Sequence, residues 1–126
     1  YGDGDHLKSA DITKSMLNAH PDLKGIYATN EGSAVGVANA LSELGKTSKD
    51  ITAIGFDSGA AQIDAIKGGV LAGAITQDPI GIGKTVVQAA YDLANGKSVE
   101  KFYDTGSYWY DATNLDDPKI SAVLYQ

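Results

Sequence analysis

The sequence predicts an α/β domain in which a mainly parallel sheet has helices on both faces. Short runs of β-branched and aliphatic residues alternate with longer stretches whose apolar residues recur at helical spacing. Glycine, present 15 times, supplies most of the breaks between these segments. The run Ile51–Phe56 is apolar almost throughout, as expected for a parallel strand that is buried on both faces. Alternation at this spacing is typical of βαβ units.

Two helices and two strands are predicted in the first half of the chain. Asp5 is the expected N-cap of a helix over about Leu7–His20. Its inward-facing residues are expected to be Leu7, Ile12, Met16 and Leu17. A short strand, Leu23–Thr29, precedes a helix over Gly32–Leu44 that ends at a glycine, and the strand Ile51–Phe56 follows. The apolar stripe of this second helix comprises Ala34, Val37, Ala38, Leu41 and Leu44.

The second half repeats the alternation. Ser58 is expected to cap a third helix, and Val70–Thr76 is the predicted third strand. The core residues of the third helix are expected to be Ile63 and Ile66. Asp78 and Pro79 are favoured at the N-cap and first position of a helix, and they predict a fourth helix that runs to about Ala94. Its inward residues are expected to be Val86, Ala90 and Leu93. The final predicted elements are the strand Lys101–Asp111 and the helical turn Pro118–Leu124.

Length and charge restrict the classes of protein that need to be considered. A chain of 126 residues fits one domain, so residues 1–126 are interpreted as a single α/β domain or fragment. With 16 acidic and 10 basic residues the net charge is −6, which argues against a nucleic-acid partner. No apolar run approaches the roughly 20 residues of a membrane-spanning helix. Because the chain opens at Tyr1 rather than at a methionine, we interpret it as a fragment or a mature product.

The sequence lacks the motifs of common enzymes. Gly81–Thr85 resembles part of a phosphate-binding loop, but Asp78 stands where that motif requires a glycine. No Gly-x-Ser-x-Gly elbow is present, and the two histidines, His6 and His20, are isolated. There is no cysteine to act as a nucleophile or as a metal ligand. We therefore expect no enzymatic activity, no catalytic residue, no cofactor and no metal site.

Polar side chains follow three successive predicted strands. They are Asn30, Asp57 and Gln77. The carboxyl ends of parallel strands share one edge of the sheet, and ligands bind at that edge. Two amides and one carboxylate can donate to and accept from the vicinal hydroxyls of a sugar. The alternative, that each residue only caps the helix that follows it, remains open.

Four segments form a distinctive combination: AHPDLKGIYATNE, VGVANALSELGK, ITAIGFDSGAAQIDAIKGGVLAGAITQDPIGIG and AAYDLANGK. An asparagine follows the first strand, Gly-Phe-Asp ends the second, and Gln-x-Pro follows the third. The run Pro21–Gly96 thereby resembles the C-terminal portion of type I periplasmic sugar-binding proteins, the ribose-binding-protein-like family. The resemblance implies a partial lobe of that fold, in which Asn30, Asp57 and Gln77 hydrogen-bond the sugar.

The resemblance also implies a function and a set of partners. Members of this family are the substrate-binding components of ABC sugar importers and hold a monosaccharide in a cleft between two lobes, in the periplasm or at the cell surface. The chain would then lack the N-terminal lobe, together with the opening strand and helix of the second lobe. The implied partners are a monosaccharide, an ABC permease, and either the missing N-terminal half or a second copy of the chain. The helix after Pro79 would lose its partner, which leaves unpaired the stripe Ile82, Val86, Ala90 and Leu93.

Two other functions are compatible with the predicted fold. The effector-binding core of a lac-repressor-like regulator shares the same fold, although the sequence shows no helix-turn-helix and no basic segment. A flavodoxin-like enzyme would need a phosphate-binding loop or a nucleophile, and neither is found in the sequence.

Overall fold

A computed structural model describes residues 1–125. The helices are α1 (His6–Ala19), α2 (Glu31–Glu43), α3 (Ala60–Lys67), α4 (Pro79–Ala94) and α5 (Pro118–Ser121). The strands are β1 (Gly25–Tyr27), β2 (Thr52–Phe56), β3 (Gly73–Gln77) and β4 (Ser107–Tyr110). They form one sheet in the order β1-β2-β3-β4, in which β1, β2 and β3 are parallel and β4 is antiparallel to β3. The predicted mainly parallel α/β fold is confirmed.

The main core lies between the sheet and the helices α2 and α3. In α2 the predicted residues Ala34, Val37, Ala38 and Leu41 are buried, whereas Leu44 is the exposed C-cap. Ile63 and Ile66 of α3 are buried, as predicted. Because both crossovers between parallel strands advance in the same direction along the sheet, right-handed connections place α2 and α3 on the same face.

Helix α1 buries Leu17 as predicted, but the rest of its buried face differs from the one expected. Asp5 caps it, since its carboxylate accepts a hydrogen bond from the Lys8 amide at 2.7 Å. The prediction that Leu7 and Met16 face inward is wrong, because both side chains are exposed. The buried face consists of Ser9, Ala10, Thr13 and Leu17. These mostly small residues let α1 pack closely against α2. The prediction failed because it assumed that the largest apolar side chains would be the buried ones.

Gly36 of α2 makes that close packing possible and carries a testable consequence. A Cβ at this position would lie 2.6 Å from the His6 carbonyl oxygen and 2.9 Å from the Ala10 nitrogen, both backbone atoms of α1. We expect Gly36→Ala to lower the free energy of unfolding by about 1–3 kcal/mol, measured by urea denaturation. The matched control is Gly83→Ala in α4, where, beyond the neighbouring residues and backbone of its own helix, nothing in residues 1–125 lies within 4 Å of the added Cβ. That control should raise stability by about 0.5–1 kcal/mol, and equal effects at both sites would contradict the packing argument.

The start of α3 also differs from the prediction. Ser58 does not cap this helix, because Gly59 is the N-cap and makes no side-chain hydrogen bond. The Ser58 side chain is buried instead, and its Oγ accepts a hydrogen bond from Thr76 Oγ1 at 3.0 Å. A serine at the end of a strand can satisfy its hydroxyl in the core as well as at a helix end, and local sequence does not distinguish the two arrangements.

The second face of the sheet is only partly covered within the described residues. Its apolar side chains lie outside the core cluster and are Tyr27, Ile54, Phe56, Ile75 and Trp109. Trp109 lies over Gly73 of the neighbouring strand, where a Cβ would collide with the indole ring. Trp109 and Tyr27 nevertheless remain 42% and 52% exposed. This face therefore presents an apolar surface to the solvent.

Helix α4 begins as predicted but buries none of its residues. Asp78 caps it by accepting a hydrogen bond from the Gly81 amide at 2.8 Å, and Pro79 occupies its first turn. The expectation that Val86, Ala90 and Leu93 face inward is wrong, since all three are exposed. Other apolar residues exposed along α4 are Ile80, Val87 and Tyr91. None of the helices within residues 1–125 is long and apolar enough to cross a membrane.

The segment after α4 is less regular than expected. The predicted strand Lys101–Asp111 is reduced to β4, Ser107–Tyr110, which pairs with β3. Residues 101–105 instead lie beside α4 and form a groove with Ile82 and Val86. Phe102, which lines this groove, remains 80% exposed to solvent. Residues 97–105 and α4 thus contribute little to the main core.

Candidate functional site

The three predicted site residues lie at the carboxyl edge of the parallel strands. Asn30 is the N-cap of α2, just after β1, Asp57 directly follows β2, and Gln77 is the last residue of β3. Asn30 and Asp57 come together at the N-terminus of α2, where both accept hydrogen bonds from its first amides. Gln77 stands on the neighbouring strand with an exposed side chain. The sugar-binding role of the three residues stays a prediction.

Asn30 caps α2, which is one of the two roles that the sequence left open. Its Oδ1 accepts a hydrogen bond from the Ser33 amide at 2.9 Å, which is an N-cap interaction. Its side-chain amide group makes no hydrogen bond to other residues in the described range. Because the cap fixes Oδ1, the side-chain NH₂ keeps a defined direction and remains able to donate to a ligand oxygen.

Asp57 has a backbone conformation that is rare for a side chain with a Cβ. Its φ of 76° lies in the left-handed region, which few residues other than glycine adopt, although aspartate and asparagine enter it more often than most. Three hydrogen bonds hold the residue in this conformation. Its amide donates to the Ile75 carbonyl at 2.8 Å, and its carbonyl accepts from the Tyr110 hydroxyl at 2.6 Å. Its Oδ2 accepts from the Glu31 amide at 3.2 Å, so one carboxylate oxygen carries the helix contact.

The carboxylate of Asp57 is well placed for binding. It lies against the positive end of α2, where the helix dipole favours a negative charge. Its Oδ1 makes no hydrogen bond within the described range and is free to accept from ligand hydroxyls. A carboxylate in this setting forms charge-assisted hydrogen bonds, which are stronger than those of neutral acceptors.

Residues from the C-terminal segment also reach this edge, although no pattern in the sequence predicts it. Tyr125 donates its hydroxyl hydrogen to Glu31 Oε2 at 3.2 Å, and its amide donates to Ser58 Oγ at 3.4 Å. Tyr110 reaches the Asp57 carbonyl, 53 positions earlier in the chain. No local motif predicts these contacts, because they depend on the return of β4 to the edge of β3.

Burial gives Tyr110 a distinct response to alkaline pH. The side chain is fully buried, and this raises its pKa above the ordinary value of about 10, with a smaller contribution from nearby negative groups. The unfolded chain therefore loses this proton first as the pH rises above 10. Stability that is complete below pH 10 is then lost, by up to about 1.4 kcal/mol per pH unit from this group.

Urea denaturation between pH 9 and pH 11 tests this expectation. The free energy of unfolding should fall as the pH rises. In Tyr110→Phe it should fall less steeply, because phenylalanine has no hydroxyl proton to lose. Identical slopes for the variant and the original protein would contradict the assignment to Tyr110.

The chemistry of this edge is that of hydrogen bonding. The side-chain amide of Asn30 and the carboxylate of Asp57 lie together here and can donate to and accept from a hydroxylated ligand. Within residues 1–125, no group of three histidine, aspartate or glutamate side chains is arranged to hold a metal ion.

Comparisons with known proteins agree with this architecture. The family model described as periplasmic binding protein domain matches residues 1–98. The ribose import binding protein of Bacillus subtilis is 35% identical over 99 residues, which cover 79% of this chain and 32% of that protein. The chain thus spans about a third of the length of this relative.

Solved structures show the same similarity at the level of the fold. An ABC transporter solute-binding protein from Agrobacterium vitis with bound D-fucose is 34% identical and superposes with a TM-score of 0.93, covering 99% of this chain and 43% of that one. A protein from Brachyspira murdochii, titled as an ABC transporter and LacI family transcriptional regulator, is 35% identical with a TM-score of 0.80 and covers 98% and 41%. On the strength of the match to residues 1–98, this chain belongs to the periplasmic binding protein domain family.

Proposed function

We propose that this chain is the C-terminal part of the substrate-binding component of an ABC sugar importer. In this proposal Asn30, Asp57 and Gln77 hydrogen-bond a monosaccharide in a cleft between two lobes. The relatives support the ligand class, because their names and titles include ribose import and bound D-fucose. The protein then works outside the cytoplasm, in the periplasm or at the cell surface, binds without catalysis and passes the sugar to an ABC permease.

One observation carries the proposal. The carboxylate of Asp57 is held at the positive end of α2 by the Glu31 amide, while its second oxygen faces no protein donor in the described range. Asn30 beside it likewise commits one atom to the helix and leaves its NH₂ group available. A rigid pair of one acceptor and one donor matches adjacent hydroxyls of a sugar ring, each of which both donates and accepts.

The proposal further assigns the two uncovered apolar surfaces to a partner. Helix α4 and the second face of the sheet would be covered by an N-terminal half of the same parent protein, or by a second copy of this chain. Support for the first arrangement comes from the solved relative with D-fucose, of which this chain covers only 43%.

The function can be tested by titration calorimetry with a panel of pentoses and hexoses. The protein to use is the complete open-reading-frame product, that is, the full-length protein that contains this chain. We expect saturable binding of at least one monosaccharide, and unchanged sugar on recovery from the protein. Absence of binding across the panel, or recovery of a chemically altered sugar, would contradict the proposal.

The effector-binding core of a lac-repressor-like regulator is the second candidate. It is favoured by the Brachyspira murdochii protein, which is described both as an ABC transporter and as a LacI family transcriptional regulator. A gel-shift assay of the complete product with DNA from its own promoter region separates the two. Sugar-dependent retardation of the DNA would favour the regulator, and its absence together with sugar binding would favour the receptor.

A further inference from the structure

The C-terminal segment contacts the candidate site through one fully buried hydroxyl. Tyr110 is 0% exposed, and its hydroxyl donates a 2.6 Å hydrogen bond to the carbonyl oxygen of Asp57. The ring itself is held in register opposite Ala74 of β3 and belongs to the core cluster. The packing of the sheet therefore fixes the position of this hydroxyl, which does not move as a surface side chain would.

The acceptor of that bond is the residue with the unusual backbone. Asp57 has a φ of 76°, although the preceding strand ends only one residue earlier. Its amide is tied to Ile75 of β3, so the donor and acceptor of its backbone are both anchored in or next to the sheet. Because hydrogen bonds hold both its amide and its carbonyl, Asp57 has a defined backbone conformation. In this conformation its carboxylate points at the N-terminus of α2.

We infer that Tyr110 is a positioning residue for the candidate sugar site and holds Asp57 in its left-handed conformation. Without the hydroxyl, the Asp57 carbonyl loses its buried donor and the residue can relax toward the regions of negative φ that L-residues more commonly adopt. The carboxylate then leaves the orientation in which Oδ2 meets the Glu31 amide. The binding part of this inference rests on the proposed function, whereas the conformational part does not.

Tyr110→Phe is the appropriate variant because it removes one oxygen atom and keeps the ring in the core. Tyr108→Phe is its matched control, since Tyr108 lies on the same strand and the same face, and its hydroxyl has no hydrogen bond within the described range. The first measurement needs no ligand. In the complete open-reading-frame product labelled at aspartate, the amide–Hα coupling and the Cα and Cβ shifts of Asp57 report its φ.

We expect the left-handed signature of Asp57 to be lost in Tyr110→Phe and kept in Tyr108→Phe. The second measurement is sugar binding by calorimetry, in which Tyr110→Phe should raise the dissociation constant about fivefold and Tyr108→Phe should leave it unchanged. An unchanged signature in Tyr110→Phe overturns the inference, and so does a changed signature with unaltered binding. If the original protein binds no sugar, the proposed function fails, and the signature alone decides whether Tyr110 sets the conformation.

A second variant covers the case in which Tyr110→Phe does not fold. Glycine adopts a positive φ without strain, so the double variant Tyr110→Phe, Asp57→Gly should regain cooperative unfolding. Failure of the double variant to fold would show that the hydroxyl is needed elsewhere, and would overturn the inference.

Discussion

The isolated 126-residue chain is expected to associate rather than to remain a compact monomer of 13.1 kDa. Helix α4 exposes apolar side chains such as Val86 at 62% and Leu93 at 59%, and it buries none. Burial of each such side chain contributes about 1.5–3 kcal/mol, so several together provide a strong driving force for association. The second face of the sheet adds the aromatic surface around Tyr27 and Trp109.

The edge of the sheet adds a second route to association. Within residues 1–125, strand β1 pairs with β2 alone, so its outer backbone groups are available to another chain. A partner could thus add a strand at β1 as well as cover α4.

Light scattering coupled to size exclusion tests the prediction and identifies the surface. We expect a mass that is a multiple of 13.1 kDa for the original chain, and a shift toward monomer for the double variant Val86→Lys, Leu93→Lys. The control is Gln88→Lys, which places one such positive charge on the polar side of α4 and should leave the mass unchanged. A sharp monomer peak for the original chain, with cooperative unfolding, would show that its apolar surfaces find partners within one molecule.

Removal of the Asp57 carboxylate is expected to weaken sugar binding by about 1.5–3 kcal/mol, roughly a tenfold to hundredfold rise in the dissociation constant. The structure changes the choice of variant. Alanine at this position would have to adopt a φ of 76°, and a loss of fold would then be mixed with a loss of binding. Asp57→Gly removes the carboxylate, including its contact with the Glu31 amide, but accepts the backbone conformation without strain, so backbone strain does not add to the binding loss.

Asp57→Asn provides the control for charge. Asparagine tolerates the left-handed region and keeps an acceptor for the Glu31 amide, so the backbone and the start of α2 should persist. The dissociation constant of Asp57→Asn should lie between that of the original protein and that of Asp57→Gly. Calorimetry on the complete open-reading-frame product gives the dissociation constants, and thermal unfolding confirms the fold. A folded Asp57→Gly protein with unchanged affinity would leave Asp57 with a purely structural role at the N-terminus of α2.

Elements with strong local signals were predicted well. The Asp-Pro start of α4, the Asp5 cap of α1 and the buried stripe of α2 depend on short-range hydrogen bonds and on helical spacing. The predicted order of strands along one parallel edge also placed Asn30, Asp57 and Gln77 at the same edge of the sheet. Predictions that failed concern the direction in which a side chain finds its partner, as for Ser58, Leu7 and Met16.

The sequence by itself determined the alternation of helices and strands, the aspartate caps of α1 and α4 and the location of the polar edge, because each follows from periodicity and from interactions within a few residues. Only the tertiary structure decided which faces are buried, how β4 returns beside β3, and that Tyr110 meets Asp57. Those features depend on contacts between residues far apart in the chain. The left-handed φ of Asp57 belongs with them, since nothing local requires it and a distant hydroxyl and a neighbouring strand hold it in place.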